Sequence, residues 1–197
     1  TNWSGNPSWC IARFDYDNEK AFSNWYAQNY CDDIRNNACG WIDWMLAETY
    51  GEGYTIYLNG KRNQKSLGSC AMDGNRFPKL KYRIYKNALW IPFEKQPGVT
   101  LQSHWNFSGT QDVDAWSNCP YVELFVNGKS QGVVTPKGDT KRCTWKNIAW
   151  EPGTVKVVGM DYDRKPVCFD QIESSGEPYA VVLNVENATL DANGKPF

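Results

Sequence analysis

Apolar and aromatic residues recur at helical spacing in an early segment of the chain. The polar stretch 15–18 just before them offers candidate N-cap residues, which favour the start of a helix there. The pattern predicts an amphipathic helix with one side packed against another part of the protein. The residues that form this side are Phe22, Trp25, Tyr26, Tyr30 and Ile34.

The next feature is a short run, Gly40–Ala47, which is apolar at every position except Asp43. Such a run predicts a strand buried on both faces, as in parallel sheets and barrels. A glycine-rich loop and a turn at Asn59-Gly60 are expected after it. A second helix is predicted from Pro78, because proline suits a first helical position. Its apolar residues would be Leu80, Ile84, Tyr85, Ala88 and Leu89.

After Gly98 the pattern changes to short alternating strands separated by turn residues. Val122, Leu124 and Val126 alternate with polar or outward positions, and Asn127-Gly128 is a typical hairpin turn. Roughly seven strands in this part predict an immunoglobulin-like β-sandwich. The other predicted strands are Val99–Trp105, Val113–Trp116, Cys143–Trp145, Val155–Met160 and Val167–Ile172.

These patterns divide the chain into three parts, with a boundary near Pro97-Gly98. Residues 1–97 carry one core strand and two helices, residues 98–178 the sandwich, and residues 179–197 an exit strand or the start of a further domain. One strand and two helices are too few for a parallel sheet, because a strand buried on both faces needs neighbours at both edges. The first part is therefore either an unusual small domain or the tail of a larger one.

Composition and charge exclude several classes of function. The chain has 197 residues, 41% of them hydrophobic and 22% charged, with a net charge of −1. That balance fits a globular protein, and it makes nucleic acid and anionic membranes poor candidate partners. We expect no membrane-spanning segment and no signal peptide in this sequence.

Aromatic residues make up 15% of the chain, with ten Trp, eleven Tyr and eight Phe. Flat rings with polar neighbours suit sugars, although a core rich in aromatic residues would give the same composition. The cysteines are scattered without a CxxC pair, so buried thiols are expected rather than a zinc site or a disulfide scaffold. They are Cys10, Cys31, Cys39, Cys70, Cys119, Cys143 and Cys168. No metal or cofactor is expected.

Several longer motifs carry a resemblance to a known family. Gly40-Trp41-Ile42-Asp43-Trp44, with Ala47-Glu48-Thr49 and Gly51-Glu52-Gly53, resembles the last barrel strand and following loop of family-2 glycoside hydrolases, the β-galactosidase and β-glucuronidase group. Met72–Lys79 resembles the loop before the final barrel helix. Val122–Ser130, together with His104-Trp105-Asn106, resembles the sandwich domain that follows the barrel in many members.

The resemblance implies a fold and a reaction. The fold is α+β: a C-terminal fragment of a (β/α)8 barrel followed by an immunoglobulin-like sandwich. The intact parent would hydrolyse β-linked sugars with retention, using two glutamates that both precede the last strand. Asn2-Trp3-Ser4-Gly5 resembles the segment just after the nucleophile, so that glutamate would stand immediately before Thr1. This chain would then contain no catalytic residue, would be inactive alone, and would need the remainder of the barrel as its partner.

Six residues are the candidate contacts to a carbohydrate substrate, because active sites of barrels lie at the carboxyl ends of the strands. A buried Asp43 would need a partner such as a sugar hydroxyl or an arginine, although relatives commonly carry tryptophan there. Plain barrel packing is the alternative for the strand, and turn stabilisation for Asp73. Glu48 and Glu52 resemble positions in the loop beyond the strand, not the catalytic pair. The six are Trp41, Asp43, Trp44, Glu48, Glu52 and Asp73.

A second hypothesis belongs to a different class of function. The predicted sandwich and its aromatic residues also suit a non-catalytic carbohydrate-binding or scaffolding module. The two hypotheses differ in where sugar binds: at the end of the barrel strand in the first, and on the sandwich in the second.

Overall fold

The computed structural model describes residues 16–39, 42, 46–47, 55–58, 61–64, 70–73 and 75–176. It contains two helical segments and three antiparallel sheets within those residues. The helices are α1 (Tyr16–Arg35) and α2 (Leu80–Ile84), the latter continued by a π-helical segment, Tyr85–Trp90. The strands are β1 (Thr55–Leu58), β2 (Lys61–Gln64), β3 (Val99–Gln102), β4 (Thr110–Ser117), β5 (Tyr121–Val126), β6 (Lys129–Val134), β7 (Arg142–Ala149), β8 (Thr154–Met160) and β9 (Pro166–Glu173).

Strands β3 to β9 form a β-sandwich, as the alternating pattern predicts. One sheet has the order β3-β4-β7 and the other β6-β5-β8-β9. The β5–β6 hairpin turns at Asn127-Gly128, where both residues have positive φ, 48° and 79°, as a two-residue hairpin of this kind requires. Side chains from both sheets meet in one core, which includes Leu101, Val113, Val122, Leu124, Cys143, Trp145, Val155 and Val157.

Strand β4 is buried on both faces, which alternation along its sequence does not predict. Val113 and Ala115 point into the sandwich core. Asp114 and Trp116 point the other way, yet each is only 2% exposed. The outer face of the β3-β4-β7 sheet must therefore be covered by another part of the protein.

Helices α1 and α2 supply that cover. Trp116 packs in one apolar cluster with Ala27 of α1, Leu80 and Ile84 of α2, and Ala88 of the π-helical segment. The predicted helix is confirmed as α1, and it packs against the sandwich. Its predicted packed side is partly wrong, because Trp25 and Ile34 are exposed whereas Ala27 and Cys31 are buried. The first part of the chain and the sandwich thus pack against each other.

The second helix begins later than predicted. Met72 pairs with Pro78 in an antiparallel β-bridge, and Lys79 still has an extended backbone, so α2 starts at Leu80. The expected start at Pro78 is wrong because that residue is used in pairing.

The β1–β2 hairpin was not predicted either. Leu58 lies opposite Lys61 in it, so the predicted turn at 59–60, outside the described residues, falls between the two strands.

Only three positions of the predicted strand Gly40–Ala47 are described. Ala47 pairs with Met72 in parallel, and the Met72 amide donates to the Leu46 carbonyl at 2.8 Å. This parallel pairing agrees with the prediction. The predicted burial on both faces is wrong at Ile42 and Leu46, because Ile42 is 93% exposed and Leu46 is 60% exposed. Neighbouring strands bury such side chains, and among the described residues this segment has only the single pairing with Met72.

Candidate functional site

Asp73 organises the loop that follows Met72. Its Oδ1 accepts hydrogen bonds from the backbone amides of Asn75 and Phe77, both at 2.9 Å. Its own amide donates to the Phe77 carbonyl at 3.0 Å, and Arg76 within the loop has a φ of 71°. The geometry is that of a turn-stabilising carboxylate, which is the alternative that the sequence offers for Asp73.

Asp73 also lies beside a parallel β-bridge. Asp73 directly follows Met72, the residue paired in parallel with Ala47, so it lies at the carboxyl end of that pair. In barrels this end carries the active site. The other five candidates lie outside the described residues and their roles stay predictions: Trp41, Asp43, Trp44, Glu48 and Glu52.

A pair of substitutions tests the turn role of Asp73. In Asp73→Ala the amides of Asn75 and Phe77 lose their acceptor, so we expect their hydrogen exchange to accelerate and the free energy of unfolding to fall by about 1–2 kcal/mol. Asp73→Asn keeps an acceptor oxygen at the same place and is the matched control. Equal exchange rates in the alanine and wild-type chains would contradict the role.

The most strongly built polar site among the described residues lies at the junction of α1 with the sandwich. Buried Asp114 accepts hydrogen bonds from Arg142, at 3.2 Å from Nε and 2.7 Å from Nη2, and from the Thr144 hydroxyl at 2.6 Å. Lys20 Nζ of α1 lies 3.3 Å from Oδ2. Burial acts to raise the pKa of Asp114, but the hydrogen bonds from Arg142 and Thr144 and the charges of Arg142 and Lys20 outweigh it and hold that pKa below its ordinary value.

A second polar chain crosses the same junction. Trp116 Nε1 donates to Gln102 Oε1 at 2.9 Å, and Gln102 Nε2 donates to Asn24 Oδ1 at 2.8 Å. Gln102 is completely buried, so this chain satisfies an amide that would otherwise be costly to bury. The register of α1 on the sheet is therefore specified by polar partners as well as by packing.

The side chain of Asn118 holds the segment that connects the helices to the sandwich. Asn118 Oδ1 accepts from the Gly98 amide at 2.8 Å, and its Nδ2 donates to the carbonyls of Ile91 and Gln96, each at 2.8 Å. Three backbone groups of the segment between α2 and β3 are thus held by a residue just before β5. The junction is an ordered interface and not a free linker.

Sequence reasoning missed these junction residues. Asp114 and Gln102 are polar residues at outward positions of strands, which normally indicates exposure to water. The sequence feature that could have indicated a covered outer face is Trp116, a large apolar residue on the same outer face as Asp114. Two polar groups and an indole on one face indicate a contact surface more than a solvated one.

No group of three or more His, Cys, Asp or Glu side chains suited to a metal ion occurs in the described part of the chain. Among the same residues, no helix is both long and apolar enough to cross a membrane.

Comparison with known proteins identifies relatives for most of the described chain. A family model for a domain of unknown function, DUF4982, matches residues 109–168, from the loop before β4 into β9. The β-galactosidase BoGH2A of Bacteroides ovatus is 39% identical over 124 residues, which cover 60% of this chain and 14% of that protein. A β-glucuronidase of Formosa agariphila is 33% identical over 117 residues, covering 58% of this chain and 11% of its own length.

Solved structures with a similar fold include two glycosidases. A β-glycosidase from Bacteroides vulgatus superposes with a TM-score of 0.57 at 26% identity, covering 76% of this chain and 18% of that one. A β-glucuronidase from glycoside hydrolase family 2 shares the fold, with a TM-score of 0.64 at 24% identity over 82% of this chain and 16% of that one. The homologues and structural neighbours are β-galactosidases and β-glucuronidases of family 2, and this chain spans only a small part of their length.

Proposed function

We propose that this chain, which corresponds to part of a family-2 glycoside hydrolase, is the C-terminal portion of a retaining enzyme acting on β-linked sugars. It supplies the last barrel strand, the rim loops that follow, and an immunoglobulin-like sandwich that supports them. The catalytic glutamates belong to the upstream part of the protein. One observation carries the proposal. Over 60% of its length this chain is 39% identical to a β-galactosidase, yet the matched region is only 14% of that protein.

An exposed apolar residue near the single parallel bridge is consistent with this proposal. Ile42 is 93% exposed, yet Leu46 and Ala47 engage Met72 in parallel pairing. In the proposal, the partners that would cover this apolar residue belong to the upstream part of the protein, since strands of a parallel barrel are normally covered on both faces. We assign the uncovered side to the seventh strand of the barrel.

The chemistry of the intact site follows from the retaining mechanism. Two carboxyl groups about 5–5.5 Å apart act in turn, one attacking the anomeric carbon and the other protonating the leaving oxygen. In this proposal the chain contributes binding rather than bond breaking. Trp41 and Trp44 offer stacking faces to the sugar, and Asp43, Glu48 and Glu52 accept hydrogen bonds from its hydroxyls.

The helices and the sandwich hold those rim loops in place. The helix α2 follows directly on the Asp73 loop, and its Ile84 packs with Trp116 of the sandwich. A displacement of the sandwich would therefore be passed to the loop. The proposed role of the sandwich is to fix the barrel's last helices, because positional precision at a site strongly affects the rate.

One feature supports the alternative function, a non-catalytic carbohydrate-binding module. Phe169 is 64% exposed on the outer face of the sheet containing β9, with Lys156 Nζ 4.5 Å from its ring centroid. Exposed aromatic rings beside polar groups suit sugar binding. A glycan array probed with the whole chain tests it. Binding that disappears in Phe169→Ala would favour the module over the enzyme fragment.

Activity of the chain alone tests the proposed function. We expect no turnover of nitrophenyl β-galactoside or β-glucuronide above buffer, because neither catalytic glutamate is present. Addition of a polypeptide carrying the upstream barrel is expected to restore hydrolysis. Turnover by the chain alone that is lost in Glu48→Gln or Glu52→Gln would refute the assignment.

A further inference from the structure

Two cysteines that are 49 positions apart meet at the edge of the sandwich. The Sγ atoms of Cys119 and Cys168 are 3.5 Å apart, and both residues are free thiols. Cys119 is buried just before β5, whereas Cys168 lies in β9 opposite Gly159 of β8 and is partly exposed. The pair therefore combines close sulfur contact with partial exposure of one of its two residues.

Gly159 is what leaves room for the pair. A Cβ atom at this position would lie 2.6 Å from each of the two sulfurs, closer than atoms can approach. The backbone of β8 here has no need of glycine for its conformation, since Gly159 is not among the glycines with positive φ. The glycine is thus explained by the two thiols that it accommodates.

We propose that Cys119 and Cys168 form a reversible disulfide when a peroxide reaches the pair. The S–S bond of a disulfide is about 2.05 Å long, so the sulfurs must approach each other by about 1.5 Å. We expect rotation of the two side chains about their Cα–Cβ bonds to provide this movement. This modification site is independent of the proposed hydrolysis of sugars.

The oxidation balances with hydrogen peroxide as the oxidant. The thiolate of Cys119 attacks one peroxide oxygen, the O–O bond breaks, and the released hydroxide takes up a proton to leave as water. The product is a sulfenic acid at Cys119. The sulfur of Cys168 then attacks the sulfenic sulfur, and its proton leaves with the second oxygen as water. Two thiols and one peroxide give one disulfide and two waters.

Proton sharing within the pair favours the first step. A hydrogen bond from the Cys168 thiol lowers the pKa of Cys119 to about 7, with further help from Ser117 and despite burial. The pKa of Cys168 is raised, first because its proton is held by Cys119 and also because of burial. The thiolate is the reactive form of cysteine, so the pair is more easily oxidised than an isolated buried thiol. Cys143 provides the contrast, because burial raises its pKa to about 12.

The disulfide would stabilise the junction described above. Asn118, which holds Gly98, Ile91 and Gln96, is next to Cys119 in the chain. A bond to Cys168 would join this anchor covalently to β9. Closing a loop of this length restricts the unfolded chain, so we expect the oxidised protein to unfold at a temperature roughly 5–15 °C higher than the reduced one.

The experiment uses the whole chain with Cys10→Ser and Cys39→Ser, since Cys39 is exposed and would form links between molecules. The protein is treated with hydrogen peroxide, alkylated, digested without reductant and examined by mass spectrometry. We expect a linked peptide pair containing Cys119 and Cys168, a mass lower by two hydrogen atoms, and reversal by dithiothreitol. The melting temperature should rise with the fraction linked.

Three variants separate this pair from general thiol oxidation. Cys31→Ser removes another buried thiol and keeps a donor for the Asp139 carbonyl, so the link should form normally. Cys168→Ser should abolish both the link and the rise in melting temperature. Gly159→Ala keeps both thiols but forces them apart, and most of the link should be lost. If that variant does not fold, Cys168→Ser decides. Cys119 that remains open to alkylation after oxidation, or that links to Cys143, would overturn the proposal.

Discussion

Replacing Trp116 with alanine is expected to lower the free energy of unfolding by about 3–5 kcal/mol. The indole fills the space between the β3-β4-β7 sheet and both helices, touching Ala27, Ile84 and Ala88. Its removal opens a cavity there and also leaves the buried Gln102 oxygen without its donor. Denaturant unfolding measures the loss.

Hydrogen exchange shows where the Trp116→Ala chain is weakened. Amides of α1 and α2 should exchange faster, while those of β5 and β8 should stay protected, because the sandwich core does not include Trp116. Phe169→Ala is the control, since that ring lies 64% exposed on the outer face of the other sheet and should cost about 1 kcal/mol or less. Unchanged exchange in α1 and α2 would mean that the helices do not depend on the sandwich.

Replacing Asp114 with alanine is the second large effect, a loss of about 2–4 kcal/mol. The substitution takes away the acceptor shared by Arg142, Thr144 and Lys20, and it leaves their donors unpaired in a partly buried place. Asp112, two residues earlier on the same strand, pairs with Lys146 at the surface. Asp112→Ala should therefore cost much less stability than Asp114→Ala, because solvent screens an exposed ion pair. Equal losses in the two variants would contradict a special role for Asp114.

Acid unfolding gives an independent measure of the same site. The pKa of Asp114 is lower in the folded protein than the value of about 3.9 in an unfolded chain. The stability that it contributes is thus present above about pH 4 and is lost as the pH falls through the folded pKa. Asp114→Asn should be less stable than the wild type at neutral pH and should lose less stability as the pH falls below about 4. An unchanged acid slope would show that another group controls it.

The strands of the sandwich could be predicted because local rules determine them. Val122, Leu124 and Val126 alternate, and Asn127-Gly128 supplies the turn, so neighbouring residues suffice to predict β5 and β6. Helix α1 has the same local basis in its apolar spacing. Residues close in sequence carry the information for these elements.

The junction could not be predicted because distant residues create it. Asp114 faces α1, whose Lys20, almost a hundred positions earlier in the chain, pairs with it. Pro78 suited a helix start locally, yet pairing with Met72 delays the helix to Leu80. Tertiary contacts override local preference at both places. The role of Asp73 could not be predicted from the sequence for a similar reason. Its position suited either sugar binding or a turn, and only its hydrogen bonds in the structure indicate the turn.

We expect the reacting carboxylates of the intact enzyme to lie outside this chain. A 2-deoxy-2-fluoro β-glycoside with a good leaving group traps the covalent intermediate of a retaining glycosidase on its nucleophile. The intact protein, labelled in this way and mapped by mass spectrometry, should carry the sugar on a glutamate preceding Thr1 and nowhere within residues 1–197. A label on Glu48 or Glu52 would contradict the account.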